Sequence, residues 1–255
     1  MMPNPVKAAL RRGETVKLMW SSTGSPDLAE AAVHIGWPFI LIDTEHGVSG
    51  LDSAVAVHRA VLSAGGDAVI RVPSADPTHL KRVLDRGFRS IMVPMVNTPE
   101  DAKALVAACR YPPRGRRGYA ASVVRASAYG TVPDYVANAN DDLLLIAQIE
   151  DIGAVDRIPE IAAVEGIDSL FLGPNDLAGS MGLLERLDHP DAMAAYERVE
   201  EKVLASGKWL GEIPRPGRTP EELHRAGCRL IAGPMDIKIF LTGAKAALEE
   251  FSFLG

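Results

Sequence analysis

Two carboxylates give the first chemical signal. Glu150 directly follows the apolar run LLLIAQI at 143–149, and Asp176 closely follows SLFL at 169–172. If those runs are neighbouring strands, both acids reach one rim. Two carboxylates, completed by water and substrate oxygens, suit a hard divalent cation such as Mg²⁺ or Mn²⁺. The plainer alternatives are a helix cap for Asp176 and a solvated or ion-paired Glu150. An acid/base pair of a glycosidase is a third reading, set back by the lack of an aromatic sugar platform. Gln148 precedes Glu150 by two residues and shares its face of a strand.

Other strand ends add to this. His46 follows the run at 39–43, with Asp43 and Glu45 beside it, as a general base oriented by a carboxylate would be; otherwise it is a surface loop histidine. Arg71 closes the run at 68–72, where its planar fork could clamp a carboxylate or an enolate, unless it serves a structural ion pair. Gly173-Pro174-Asn175-Asp176 offers backbone N–H groups at the start of a segment able to turn helical, a natural anion receptor. Together these parts describe enolate chemistry on a 2-oxo acid. The acid is chelated through its carboxylate and keto oxygens, an arginine and a cation stabilise the enolate, and a base moves the proton that accompanies C–C bond making or breaking. No lysine stands at a corresponding strand end, which makes a Schiff base less natural.

The elements that must position these groups follow from hydropathy. Short apolar runs lie at 16–20, 39–43, 68–72, 90–94, 143–149, 169–173, 208–212 and 229–232. Several are apolar almost throughout, as strands buried on both faces are. Helical patterns lie between them at 26–34, 51–64, 77–86, 99–109, 191–206, 219–226 and 236–251, with Ser25 and Thr98 as caps and Gly65-Gly66, Gly87, Gly207 and Gly227 as stops. The alternation predicts an α/β fold, a (β/α)8 TIM barrel with its chemistry at the C-terminal ends of the strands. A doubly wound sheet is the runner-up, but no GxGxxG turn follows the first run and no Walker A sequence occurs. The longest irregular stretch, 110–142, is rich in Arg, Pro and Gly, and a loop of that length is expected to be functional or an interface.

Composition narrows the partners. The chain has 255 residues, 47% apolar and 24% charged, an ordinary globular balance expected to form one domain over 1–255. A formal net charge of −6 and only 6 Phe, 5 Tyr and 3 Trp argue against nucleic acid as a partner. Cys109 and Cys228 lie far apart without a CxxC pair, so two free thiols are expected rather than a zinc site or a disulfide scaffold. The first residues lack the apolar core of a signal peptide, and no run approaches a membrane span, so a cytoplasmic location and no membrane partner are expected.

LIDTEHG at 41–47, RVP at 71–73, IMVPMVNTPEDAKALVAACRYPPRGRRG at 91–118, QIED at 148–151 and FLGPNDLAGSMG at 171–182 together resemble the HpcH/HpaI aldolase family. The likeness runs in order from about residue 15 to 251. It implies a class II, divalent-metal-dependent aldolase that joins or cleaves a pyruvate or hydroxypyruvate enolate and an aldehyde, acting on 4-hydroxy-2-oxo acids or 2-keto-3-deoxy sugar acids. By this likeness His46 is the catalytic base, Arg71 binds pyruvate and stabilises its enolate, and Glu150 and Asp176 hold the metal (Mg²⁺ or Mn²⁺, with Co²⁺ a further candidate). Gln148 contacts substrate, Gly173, Pro174 and Asn175 receive its carboxylate, and Asp85 tunes the histidine, with Asp43 a second support for it.

Two positions depart from the family pattern: Val48 stands where Pro is frequent, and Asn175 where small residues are common. The resemblance also implies a homo-hexamer, a trimer of dimers, with the helix at 236–251 exchanged between subunits. Acceptor preference would then be set by the loop carrying Arg110, Arg114, Arg116 and Arg117 and by Glu212-Ile213-Pro214. The rival functions are an acyl-CoA lyase on the same barrel and a catalytically silent metabolite-binding barrel.

Overall fold

Eight strands form where the apolar runs lie: β1 (Val16–Ser21), β2 (Phe39–Asp43), β3 (Asp67–Arg71), β4 (Ser90–Val93), β5 (Leu144–Ile149), β6 (Ser169–Leu172), β7 (Trp209–Glu212) and β8 (Leu230–Met235). In the computed structural model, which describes residues 3–254, they close in sequence order into a barrel, every pair parallel and β8 pairing back to β1. Closure leaves no unpaired edge, and the return crossings place helices outside, so the strands are covered on both faces.

Strand alternation sorts the side chains into two layers. Leu18, Leu41, Val69, Met92, Ile146, Phe171 and Leu230 fill the barrel interior. Ile40, Ile42, Ile70, Ile91, Leu145, Leu170 and Leu210 face outward beneath the helices. One further step along the inward series reaches Asp43 after Leu41, Arg71 after Val69, Gln148 after Ile146 and Gly173 after Phe171, and a second step after Gln148 reaches Glu150. The polar groups of the mouth are thus the uppermost row of an apolar plug.

The expected caps are present. Ser25 Oγ accepts from Leu28 N–H at 3.3 Å, and Thr98 forms a full capping box with Asp101. The helix Leu51–Ser63 stops where Gly65 turns left-handed at φ +88°. Helices not expected from the sequence are Pro5–Arg11, Tyr135–Asp142, Ile152–Val155 and Ile158–Ala162. The first seals the N-terminal end of the barrel. Val6, Ala9 and Leu10 join the interior cluster, and Lys7 pairs with Asp168 at 2.9 Å. With seven residues it has little helical stability of its own, and its partners are all tertiary.

The 110–142 excursion packs on itself. Tyr111 N–H donates to Asn140 Oδ1 at 2.7 Å and the Asn140 amide returns to the Tyr111 carbonyl at 3.2 Å. Arg117 lies 4.3 Å over the Tyr111 ring. Arg110 and Arg117 are buried while Arg114 and Arg116 are exposed, so only half of this arginine set faces solvent. Both cysteines are free and buried. The last helix, Asp236–Glu249, leaves Ile239, Phe240, Leu241 and Leu248 exposed. A cleft of about 250 Å³ separates it from the helix Pro26–His34, lined by Met19, Leu28, Ile35 and Phe240. Among the described residues, no helix is long and apolar enough to cross a membrane.

Candidate active site

Asp43 and Arg71 are register partners across β2 and β3. Arg71 Nε and Nη2 donate to the two Asp43 oxygens at 3.0 and 2.8 Å, Nη1 lies 3.1 Å from Glu45 Oε2, and the guanidinium sits 4.6 Å over the Trp20 ring. The pair is almost fully buried. Burial pushes the Asp43 carboxyl up, but the bidentate arginine and two backbone N–H groups outweigh it and hold it below the usual carboxylate range. Those N–H groups belong to Glu45 and His46 and reach Asp43 Oδ1 at 3.1 and 3.4 Å. They fold the segment after β2 back over the rim.

This geometry corrects the expected support for His46. Asp43 touches the histidine through its backbone amide, and its oxygens are occupied by Arg71. The nearest carboxylate to the ring is Glu45, with Oε2 4.0 Å from Nε2. The His46 side chain is 67% exposed at the mouth. Asp85 lies elsewhere: it ends the helix Pro77–Asp85 near the start of β4 and pairs with Arg117 Nη2 at 2.8 Å. Within one chain it has no contact with His46. Glu212 is also corrected. Gly211 faces inward beneath the Phe171 ring, so Glu212 turns outward, fully buried and ion-paired with Arg215, and offers nothing to a substrate.

Glu150 lies deep and Asp176 at the surface of the same rim. Glu150 Oε1 accepts from Met95 N–H at 2.8 Å, and Oε2 accepts from the Gln148 amide. Gln148 Oε1 is buried without a hydrogen-bond partner. A Cβ on Gly173 would fall 2.6 Å from Glu150 Oε2 and 2.8 Å from Gln148 Nε2, so only glycine leaves these two side chains their places. Burial pushes the Glu150 carboxyl up to about 7, and Glu45 and Asp176 push the same way, against Met95 N–H and Arg71. Burial likewise raises Glu45, opposed by Arg71 and His46 and reinforced by Asp43 and Asp176. Asp176 and Asn175 are exposed in the first turn of the short helix Pro174–Ser180.

Glu45 was visible in the sequence only as a neighbour of His46. Its turn toward Arg71 depends on backbone bonds to Asp43 that strand alternation does not describe. The mouth therefore gathers three electrostatically coupled carboxylates, Glu45, Glu150 and Asp176, around one arginine already committed to Asp43. The donor set lacks positive charge. Among the described residues no three His, Cys, Asp or Glu side chains converge as a ready-made metal cluster. A cation bound by Glu150 and Asp176 would complete its coordination from substrate and water, as hard divalent ions commonly do.

A closed (β/α)8 barrel with an arginine and coupled carboxylates on its C-terminal rim defines a TIM-barrel enzyme of carboxylate or enolate chemistry. Residues 17–242 match the model of the HpcH/HpaI aldolase/citrate lyase family, and the chain belongs to that family. It is 43% identical to the 4-hydroxy-2-oxovalerate aldolase of Novosphingobium aromaticivorans, over 97% of this chain and 94% of that one. It is 40% identical to a hydroxypyruvate/pyruvate aldolase of Agrobacterium fabrum, over 95% and 91%. The crystal structure of a family protein from Burkholderia cenocepacia superposes with a TM-score of 0.91 at 36% identity, covering 97% and 99%. The chain is an aldolase, a carbon–carbon lyase. Two citrate lyase structures match at 15% identity with TM-scores of 0.62 and 0.57 and share the fold alone.

Proposed function

We propose that this aldolase cleaves a 4-hydroxy-2-oxo acid or a 2-keto-3-deoxy sugar acid to pyruvate, or hydroxypyruvate, and an aldehyde, and runs the reverse addition. One observation carries the reading. A buried, rigidly held Glu150 faces Asp176 and Glu45 with too little cationic charge between them, beside an arginine fixed at the floor of the same mouth. Glu150 and Asp176 are the residues that would hold a divalent cation, Mg²⁺ or Mn²⁺. When bound, the cation would polarise the keto oxygen and stabilise the enolate charge.

Arg71 is fixed by Asp43, Glu45 and Trp20. Two of its five N–H groups are hydrogen-bonded to Asp43, and Nη1 forms an ion pair with Glu45. Its remaining donors would stabilise the substrate carboxylate and the developing enolate. Gln148 presents its free carbonyl oxygen to the same space. Gly173, Pro174 and Asn175 form the turn that receives the carboxylate. His46, exposed at the lip and near Glu45, takes the proton of the C4 hydroxyl as the C3–C4 bond breaks to the aldehyde and the enolate, and a proton from solvent water then adds to the enolate carbon to give the oxo acid. Acceptor preference is assigned to loops at the mouth, without Glu212.

The exposed apolar face of the helix Asp236–Glu249 supports a homo-hexamer in which that helix seats on a neighbouring subunit. The buried free cysteines fit a cytoplasmic location. The deciding experiment is hydrogen–deuterium exchange at the methyl group of pyruvate in D₂O. Exchange that requires Mg²⁺ or Mn²⁺ and stops with EDTA supports the reading. No exchange with either metal, from folded protein, overturns it.

A further inference from the structure

Met95 adopts a left-handed backbone, φ +54°, a region that side chains other than Asn, Asp and Gly seldom occupy. It follows Pro94 at the end of β4 and makes no turn of a hairpin. Two consecutive amides there face the end of β5. Met95 N–H donates to Glu150 Oε1 at 2.8 Å, and Val96 N–H donates to the Gln148 carbonyl at 3.2 Å. The left-handed turn at residue 95 lets the chain present both. A right-handed residue would swing Val96 N–H away while the first bond stayed, or the reverse. The same carboxylate is held at its other oxygen by the Gln148 amide and bounded by Gly173. Strain of this kind persists only where the surrounding structure fixes it, and at residue 95 the two bonds to the end of β5 do so.

We infer that Met95 is a positioning residue: its strained backbone fixes the Glu150 carboxylate in one orientation, aimed across the mouth for a cation. The inference rests on the reading of Glu150 as a metal ligand. It makes a definite demand on substitution. Glycine occupies the left-handed region freely, whereas a β-branched residue resists it. The order expected from backbone conformation is therefore opposite to the order expected from side-chain size.

The test is calorimetric titration of the full-length protein with Mn²⁺ alone. Met95→Gly should bind Mn²⁺ as tightly as the parent or more tightly. Met95→Val should bind about 10–100-fold more weakly, the usual effect of losing a partner that orients a ligand. Met95→Ala should fall between them, and it keeps the series informative if the valine variant does not fold. Thermal unfolding of each variant reports the fold separately. Equal affinity in the three variants, or weaker binding by glycine than by valine, would overturn the role of the backbone. Glu150→Gln serves as the control for the underlying reading. If it binds Mn²⁺ like the parent, the ligand assignment itself fails; if binding is lost while the Met95 series is flat, only the positioning role fails.

Discussion

Asp43 and Arg71 stand opposite each other across adjacent parallel strands and are joined through both carboxylate oxygens, at 3.0 and 2.8 Å. With Glu45 on the third side and Trp20 beneath, the guanidinium cannot rotate. An arginine that must meet a planar carboxylate or enolate is thereby set before the substrate arrives, and little ordering is left for the binding step. Asp43→Asn removes the anchor and leaves a buried cation with Glu45 as its remaining partner. The expected loss is about 3 kcal/mol of folding stability, read by chemical denaturation, together with weaker binding of pyruvate.

Gly173 tests the other wall. A Cβ there would lie within 3.0 Å of three atoms of Glu150 and Gln148, so Gly173→Ala must displace one of them. It should cost about 1–3 kcal/mol of stability and reduce Mn²⁺ affinity at least tenfold, by analogy with losses of ligand orientation. Titration of the folded variant checks both.

His46 should separate chemistry from folding. Its side chain is two-thirds exposed, so His46→Ala should change stability by no more than about 0.5 kcal/mol. Aldol cleavage should fall by about 10²–10⁴, the usual contribution of a positioned base. Steady-state cleavage assays and thermal unfolding on one preparation decide it. A near-normal rate removes His46 from the mechanism.

The raised carboxyl of Glu150 gives stability a defined pH dependence. Burial holds it at about 7 against an ordinary 4.5, so the metal-free fold keeps a proton that the unfolded chain releases. The resulting stabilisation is complete below pH 4.5 and is lost as pH rises through 7. Glu212, pushed to about 7 by burial, slopes the same way. A cation held by Glu150, as proposed, needs the ionised carboxylate, so the stabilisation that Mn²⁺ adds should grow from pH 5.5 to 8. At a hundred times its dissociation constant the gain is about 2.7 kcal/mol, and EDTA should abolish it. A metal-induced shift equal at both pH values contradicts the assignment, and Glu212, paired with Arg215 away from the mouth, contributes equally with and without metal.

The basal helix offers a purely structural check. Leu10 is 1% exposed and fills the barrel floor. Leu10→Ala should cost about 2–5 kcal/mol in denaturation and leave Mn²⁺ affinity unchanged, since the floor and the mouth lie at opposite ends of the strands.

The strands were legible because parallel strands covered on both faces must be apolar, and their last inward residues could be counted from that pattern. His46, Arg71, Gln148, Glu150 and Asp176 were found as polar residues at the ends of apolar runs. Phase was harder. Glu212 also ends a strand, but it lies one step out of phase, and only the small inward Gly211 signals this. The Asp43–Arg71 bond was out of reach because it depends on the register between two strands. Asp85 could be named only by likeness, and the fold places it beside Arg117. The basal helix Pro5–Arg11 has too few residues to announce itself and is stabilised by what it covers.

The apolar plug of the barrel has a kinetic consequence. Leu18, Leu41, Val69, Met92, Ile146 and Phe171 fill the interior beneath the site, so the mouth has one door. Arg71 and Glu150 lie at the back, 7% and 2% exposed, while His46 stands at the threshold. In a passage with a single entrance, the molecule that occupies the back must go in first and come out last. The oxo acid should therefore bind ahead of the aldehyde in synthesis, and the aldehyde should depart ahead of it in cleavage, so product inhibition by the oxo acid is expected to be competitive with the cleaved substrate and inhibition by the aldehyde is not.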